Sequence, residues 1–335
     1  MSDVPQPSVL HVNDAAFTAQ NMIVEATRRG YVWHYLPKAA PAQEWRGITG
    51  KARRAAIGGA WVARLRVQAR RHDIVHVHSA STLAHSRLGA PRYVVHCHGT
   101  DVRVAQYDPA RQRSIRDGLR DAEAVFYATP DLAEHVLPHR ADAVYLPVPV
   151  DVDAAQPWRP ADGRPRVVFA SRWSPDKDGA HTDAGQLVVA RALVEALGDR
   201  ADVLGIDWGP QAAEAAAAGV RLLPRGDHAD YMKLLSEAHV VIGQSTGMLG
   251  ASELEALATG APLVIAVPMP LYDDVRPPVR GGSVADAVAA VAALLDGSEP
   301  HDADGTRKWT RDQHGIEQAV DTVAAVHRDV VAARR

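Results

Sequence analysis

The sequence predicts an α/β protein built from two Rossmann-like, doubly wound parallel-sheet domains. Short apolar runs bounded by Gly, Pro, Asn or Asp alternate with helical patterns along most of the chain, which marks β-α-β units and a parallel sheet. The alternation pauses once, over residues 148–166 (VPVDVDAAQPWRPADGRPR), a stretch rich in Pro and Asp and poor in periodicity. A length of 335 residues suffices for two α/β domains of ordinary size. The expected organisation is a first domain over 1–150, a linker over 151–166 and a second domain over 167–309. A last helix near 310–335 is long enough to cross back onto the first domain.

Ser8–Val12 is an apolar run between Pro7 and Asn13-Asp14 and reads as a buried strand. Thr18–Arg29 reads as a helix with Thr18 as N-cap and Gly30 as C-cap. Tyr31–Leu36 is a strand. Lys51–Arg71 is a helix with Ile57, Trp61, Leu65 and Gln68 along one face. Strand Asp73–His78, helix Thr82–Leu88, strand Tyr93–His98, helix Arg111–Leu119, strand Ala124–Ala128, short helix Pro130–His135 and strand Ala143–Pro147 complete the first half. The second half restarts with strand Arg166–Ala170, helix Gly185–Leu197, strand Asp202–Ile206, helix Gln211–Ala218 and strand Val220–Leu223. Helix Asp227–Glu237, strand Val240–Gly243, helix Gly250–Ala258, strand Leu263–Val267 and helix Ser283–Leu295 follow. Residues 297–307 are polar, and Asp312–Ala333 is the closing helix.

Bulk composition is that of a globular protein, with 47% apolar and 23% charged residues. No apolar run approaches the roughly 20 residues that span a bilayer. The N-terminal residues lack the basic and apolar regions of a secretory signal. The single Cys97 has no internal partner and, beside Val94 and Val95, reads as a buried strand residue. A cytoplasmic protein is expected, at most peripheral to the inner face of a membrane. The net charge of −3 hides an asymmetry: residues 1–160 carry 20 basic and 15 acidic side chains, and residues 161–335 carry 17 and 25. Eight basic and no acidic residues fall between Arg46 and Arg71, which reads as a solvated basic helix or as a contact for an anionic membrane. No nucleic-acid-binding signature appears.

Three segments carry candidate chemistry. In Gly250–Pro262, GASELEALATGAP, a glycine precedes a helix, and a helix N-terminus suits a phosphate. Glu255, less than two turns in, lies within reach of a sugar hydroxyl beside that phosphate. In ASRWSPDKDG, Arg172 and Lys177 are five residues apart across a turn after a strand, where two cations can neutralise a diphosphate leaving group. In YVVHCHGTD a strand runs into a glycine turn with His98 at its end.

Together these segments resemble GT-B glycosyltransferases of the GT4 type (retaining, glycosyltransferase group 1). The run Gly247-Met248-Leu249-Gly250-Ala251-Ser252-Glu253-Leu254-Glu255-Ala256 is similar to that family's E-G-F-G-x-x-x-L-E-A segment, with Gly247 where the family has its first Glu. Arg172 and Lys177 match G-R-x-x-x-x-K-G. His98, Gly99 and Asp101 match H-G-x-D, the strand DIVHVH matches another family segment, and PVPVD resembles P-x-x-V-D. The resemblance implies two domains facing a central cleft and metal-independent sugar transfer from a nucleotide-diphosphate sugar, with no other cofactor. It implies that Arg172, Lys177 and the Leu249 and Gly250 N–H groups hold the diphosphate and that His98 contacts the donor sugar. Glu255 would bind the ribose, and the base would lie near Leu223 and Arg225, with Gly209 in a G-x-G-P-like turn. Asn13, Asp14 and Asp101 are expected on the acceptor side; the acceptor is a small molecule, a lipid or a glycan. Two features depart from the family: Gly247, and the absence of glycine in the first loop, NDAAFT. An unusual donor sugar, substitution by Glu253, or nucleotide-sugar binding without turnover would each accommodate them. A rival reading uses the pairs His76/His78 and His96/His98, each on one strand face, with Asp101, as zinc ligands of a hydrolase.

Overall fold

The structure, a computed structural model, describes residues 6–38, 47–175, 182–272 and 275–334, with backbone alone at 47, 48 and 182. The chain divides into two compact units, Met1–Pro149 with Ile316–Arg335, and Val150–Gly315.

The first unit holds a parallel sheet of β1 (Val9–Val12), β2 (Trp33–Leu36), β3 (Ile74–His78), β4 (Val94–Cys97), β5 (Ala124–Tyr127) and β6 (Val144–Tyr145) in the order β2-β1-β3-β4-β5-β6. Its helices are α1 (Thr18–Arg28), α2 (Gly47–Ala69), α3 (Leu83–Gly89), α4 (Thr100–Arg103), α5 (Gln112–Asp121) and α6 (Ala133–Val136). Every residue of β1, β3 and β4 is buried, as expected of a parallel sheet covered on both faces. Alternate side chains go to opposite faces. Leu10, Val12, Val75, Val77, Val95 and Cys97 pack with Leu65 of α2 and Leu83 of α3. Val9, Ile74, Val94 and Phe126 face the other way, against Met22 of α1.

The second unit repeats the plan. Its sheet, β12-β11-β10-β7-β8-β9, comprises β7 (Arg166–Phe169), β8 (Asp202–Ile206), β9 (Arg221–Leu223), β10 (Val240–Ile242), β11 (Leu263–Ile265) and β12 (Val279–Gly281). The helices are α7 (Gln186–Leu197), α8 (Ala212–Ala217), α9 (His228–Ser236), α10 (Ala251–Thr259), α11 (Val284–Asp296) and α12 (Ala303–His314). The last helix, α13 (Ile316–Ala333), joins the first unit, where Val320 and Val323 meet the Val9 face of the sheet.

Four elements differ from the sequence pattern. The segment over 148–166 is laid along the second unit: the Trp158, Arg159 and Ala161 N–H groups donate to the carbonyls of Thr259 (2.7 Å), Ser236 (2.9 Å) and Glu237 (3.0 Å). The Trp158 indole donates to the Ala238 carbonyl at 2.7 Å. The stretch from 297 to 333 forms two helices that meet at Gly315, which has extended backbone (ψ 136°). The buried side of α12 is polar (Thr306, Thr310, His314), so it lacks an apolar stripe. Strand β12 and helix α4 are too short to show a period. No helix among the described residues is long and apolar enough to cross a membrane.

Candidate functional site

In an open parallel sheet, ligands bind outside the carboxyl ends of the strands where the strand order reverses. The reversal falls between β7 and β10 in the second unit and between β1 and β3 in the first. The candidate residues gather at these two places.

In the second unit, β7 runs into Ala170-Ser171-Arg172 and β10 into Gly243-Gln244. Glu253, in the first turn of α10, joins both ends. One carboxylate oxygen accepts from the Gln244 N–H (3.0 Å) and the Ser171 hydroxyl (3.1 Å), and the other from the Gly250 N–H (3.0 Å). Glu253 is 0% exposed. It is therefore the brace of the site, and the idea that it substitutes for a carboxylate at position 247 fails. A Cβ at Gly250 would lie 2.7 Å from the side-chain amide nitrogen of Gln244, a flexible end that can give way.

The two amides expected to hold a diphosphate are both engaged. Leu249 N–H donates to the Tyr272 hydroxyl at 3.0 Å, and Gly250 N–H to Glu253. The Leu249 and Gly250 assignments are corrected accordingly. By helix geometry the next N–H groups, those of Ala251 and Ser252, have no intrahelical acceptor. They present the positive end of α10 beside the Ser171–Arg172 turn.

Glu255 lies about one helical turn further and its side chain is 14% exposed. His228 of α9 holds it through Nε2 at 2.7 Å. Burial raises the Glu255 pKa, and the His228 hydrogen bond works against that rise. Tyr231 of α9 donates to the Ala170 carbonyl at 3.1 Å, which docks α9 on the end of β7. The Arg172 carbonyl accepts from Gln186 at 3.1 Å. Lys177 lies outside the described residues. Gly247 has a left-handed backbone (φ 71°), although a Cβ there would come no closer than 3.8 Å to Pro268 O.

At the end of β8, Gly209 (φ 116°) packs on the loop after β7, where a Cβ would fall 2.2 Å from the Trp173 carbonyl oxygen. The Arg225 guanidinium, two residues beyond Leu223, lies 4.5 Å from the centroid of the Trp208 ring, and Trp208 is 44% exposed. Trp208 was not among the candidates. Its signal in the sequence is a large aromatic in a Gly-Pro turn at a strand end.

In the first unit, Asn13 (φ 65°) ends β1 and donates to the His78 carbonyl at 2.8 Å. The Asp14 carboxylate caps α1, accepting from the Ala19 N–H and the Gln20 amide, each at 2.9 Å. Asp101 is buried and accepts from the N–H groups of Ala80 (2.8 Å), His98 (3.2 Å), Gly99 (2.8 Å) and Val102 (3.1 Å). Asp101 thus shapes the loop, and its place on the acceptor side is corrected to a positioning one; Asp14, half-buried, stays beside the strand ends. Gly99 (φ 144°) makes the turn that leaves His98 at the strand end.

His98 also ends a chain of imidazoles. Its Nε2 lies 3.1 Å from His78 Nδ1, and His78 Nε2 lies 3.0 Å from His11 Nδ1. His76, His96 and, from α13, His327 are buried around that chain. Burial holds His11, His76, His78 and His96 well below the ordinary imidazole range and His327 at about 3. Burial lowers His98 too, while Asp101 and Asp14 pull it upward. Two triads, His11/His76/His78 and His78/His96/His98, bring ligand atoms within 4.8 Å of one another. The zinc-hydrolase reading also needs Asp101 and an open position for water. The Asp101 carboxylate is taken by backbone amides, and His76 and His96 have no exposed surface.

Two doubly wound parallel units in tandem define the GT-B class of fold. The chain is similar over nearly its whole length to solved structures of that class. Against Anabaena Alr3699/HepE in complex with UDP and glucose the TM-score is 0.70 at 13% identity, covering 96% of this chain and 100% of that one. Against AviGT4, a glycosyltransferase involved in avilamycin A biosynthesis, it is 0.63 at 20% identity, covering 98% and 99%. Against the α,α-trehalose 6-phosphate synthase of Burkholderia multivorans it is 0.66 at 12% identity, covering 99% and 100%. No family model and no curated protein sequence matches the chain.

Proposed function

We propose that the protein is a retaining, metal-independent glycosyltransferase of GT4 type that moves a sugar from a nucleotide-diphosphate sugar to an acceptor. One observation carries this reading. At the β7/β10 reversal, Ser171 and Gln244 both bond Glu253, which sets Arg172 beside the N-terminus of α10 and Glu255 within the same helix. As the bond from the sugar to the diphosphate breaks, negative charge gathers on the phosphate. Arg172, Lys177 and the Ala251 and Ser252 N–H groups stabilise it. Glu255 accepts from the ribose hydroxyls, the base lies beside Trp208 and Arg225, and His98 contacts the donor sugar. UDP is the first nucleotide to try, because it is bound in HepE, which shares the fold. The acceptor is a small molecule, lipid or glycan. Exposed Lys51, Arg53 and Arg54 of α2 would hold a cytoplasmic enzyme peripherally on an anionic membrane.

The test is calorimetric titration of metal-stripped protein with UDP, GDP, dTDP, CDP and ADP. One nucleotide is expected to bind, weakened about tenfold or more in Arg172→Ala, the usual scale for a lost charge-assisted hydrogen bond. Glu255→Ala should weaken the ribonucleotide similarly and leave the affinity for its 2′,3′-dideoxy analogue unchanged. No binding by any nucleotide would overturn the reading.

A further inference from the structure

We propose a second anion site, in the first unit, that takes a phosphorylated organic molecule. A pocket of about 480 Å³ opens where α2 and α3 meet the turns entering β3 and β4. It lies at the amino ends of those strands, one strand length or roughly 16 Å from His98 at their carboxyl ends. It is therefore separate from the candidate donor and acceptor residues.

Five guanidiniums line it: Arg66, Arg70, Arg87, Arg92 and Arg334. Three carboxylates answer them. Asp121 pairs with Arg87, Glu123 pairs with Arg92 and Arg334, and Asp73 lines the pocket. Asp73 is already engaged by the Ser8 N–H (2.9 Å) and hydroxyl (2.8 Å), and these bonds hold its pKa low. Five cations against three anions leave a surplus of two positive charges. Arg66 and Arg70 have no carboxylate partner among the described residues, and they sit four residues apart on one side of the pocket. Guanidinium forks of this kind suit phosphate oxygens. Apart from His72, the remaining wall is apolar, and Leu88 in it is 67% exposed. Two uncompensated charges beside an uncovered apolar wall match a dianionic phosphate carrying an apolar or ring-shaped group.

The test does not depend on the donor-site reading. Phenyl phosphate is titrated into the full chain carrying Arg172→Ala, which weakens the proposed donor-side clamp, with and without Arg66→Gln and Arg70→Gln. One equivalent is expected to bind in the Arg172→Ala protein, with at least about a tenfold loss in the triple variant. Because Arg66 and Arg70 are exposed, the thermal midpoint should not change; Arg92→Gln, which leaves Glu123 paired with Arg334, serves as a second variant with a loss in the same direction. Absence of binding in Arg172→Ala, or binding indifferent to all three arginines, would overturn the proposal. Vesicles containing phosphatidylglycerol separate the sources of phosphate. Vesicle binding lost with Arg66 and Arg70, without any binding of phenyl phosphate, would assign these arginines to a membrane headgroup surface and overturn the pocket.

Discussion

Glu253 and Glu255 stand two residues apart on α10 and point about 200° apart around it. One is sealed against two strand ends; the other reaches a half-open edge beside His228. Glu253→Gln would place an amide NH₂ where three donors now converge. It should cost about 2–3 kcal/mol of stability, the scale of hydrogen bonds to a buried charge. Urea unfolding measures this, and a change below about 0.5 kcal/mol would remove Glu253 as the brace. At this scale the spacing of the motifs picks out Arg172, Glu255 and His98. It does not reveal that Tyr272 occupies the Leu249 amide, because that partner is 23 residues away and reaches it only through the fold. Asp101 is legible as a candidate by type, but four backbone donors decide its work.

Glycines separate strained from unstrained elements. Gly58 and Gly59 lie within α2, and a Cβ at either meets nothing within 4 Å. Gly58→Ala and Gly59→Ala should each stabilise the protein by up to about 1 kcal/mol, since alanine loses less backbone freedom in a helix. Gly209→Ala should do the opposite. It meets the Trp173 carbonyl in a backbone region alanine rarely adopts, and a loss of about 3 kcal/mol or more is expected. Thermal unfolding of the three variants checks both signs; a stabilised Gly209→Ala would sink the account of that turn. Among the elements, apolar strands and capped helices are legible from periodicity. Helix α12 is not, because it buries threonines and a histidine. The order of strands is invisible too, and it is the order that puts Arg172 and Gln244 side by side.

Across the first unit, five imidazoles share the sheet face covered by α13, His11, His76, His78, His96 and His98, and His327 of α13 meets them. Their pKa values are lowered in the folded state, chiefly by burial. The unfolded chain regains an ordinary imidazole pKa near 6.5. Below that pH the unfolded state binds more protons, so the stability present above about pH 6.5 is lost as pH falls toward the folded values, that of His327 being about 3. Each group held low in this way contributes a slope of up to about 1.4 kcal/mol per pH unit below pH 6.5. The charges facing the array are few: Arg334 lowers His327 further, and Asp14 and Asp101 favour protonation at His98 alone. Progressive loss of stability is therefore expected as pH falls below about 6.5, within the range where a domain stability of about 5–15 kcal/mol can be exhausted. Circular dichroism melts from pH 8 to 4.5 would show it, with a gentler slope in His76→Phe; a flat profile down to pH 5 would refute it.

By itself the sequence determines two tandem α/β units, the period of most strands and helices, and the side chains that meet a nucleotide sugar in the proposed reading. Those features are local, written in residue type and spacing. Only the tertiary structure decides which amides remain open to a phosphate, which carboxylates are braces, and that the histidines of three strands and the last helix form one buried array. Each of these depends on which distant group arrives to fill a donor, an acceptor or a face, and burial and pairing between residues far apart in the chain leave no periodic trace in it.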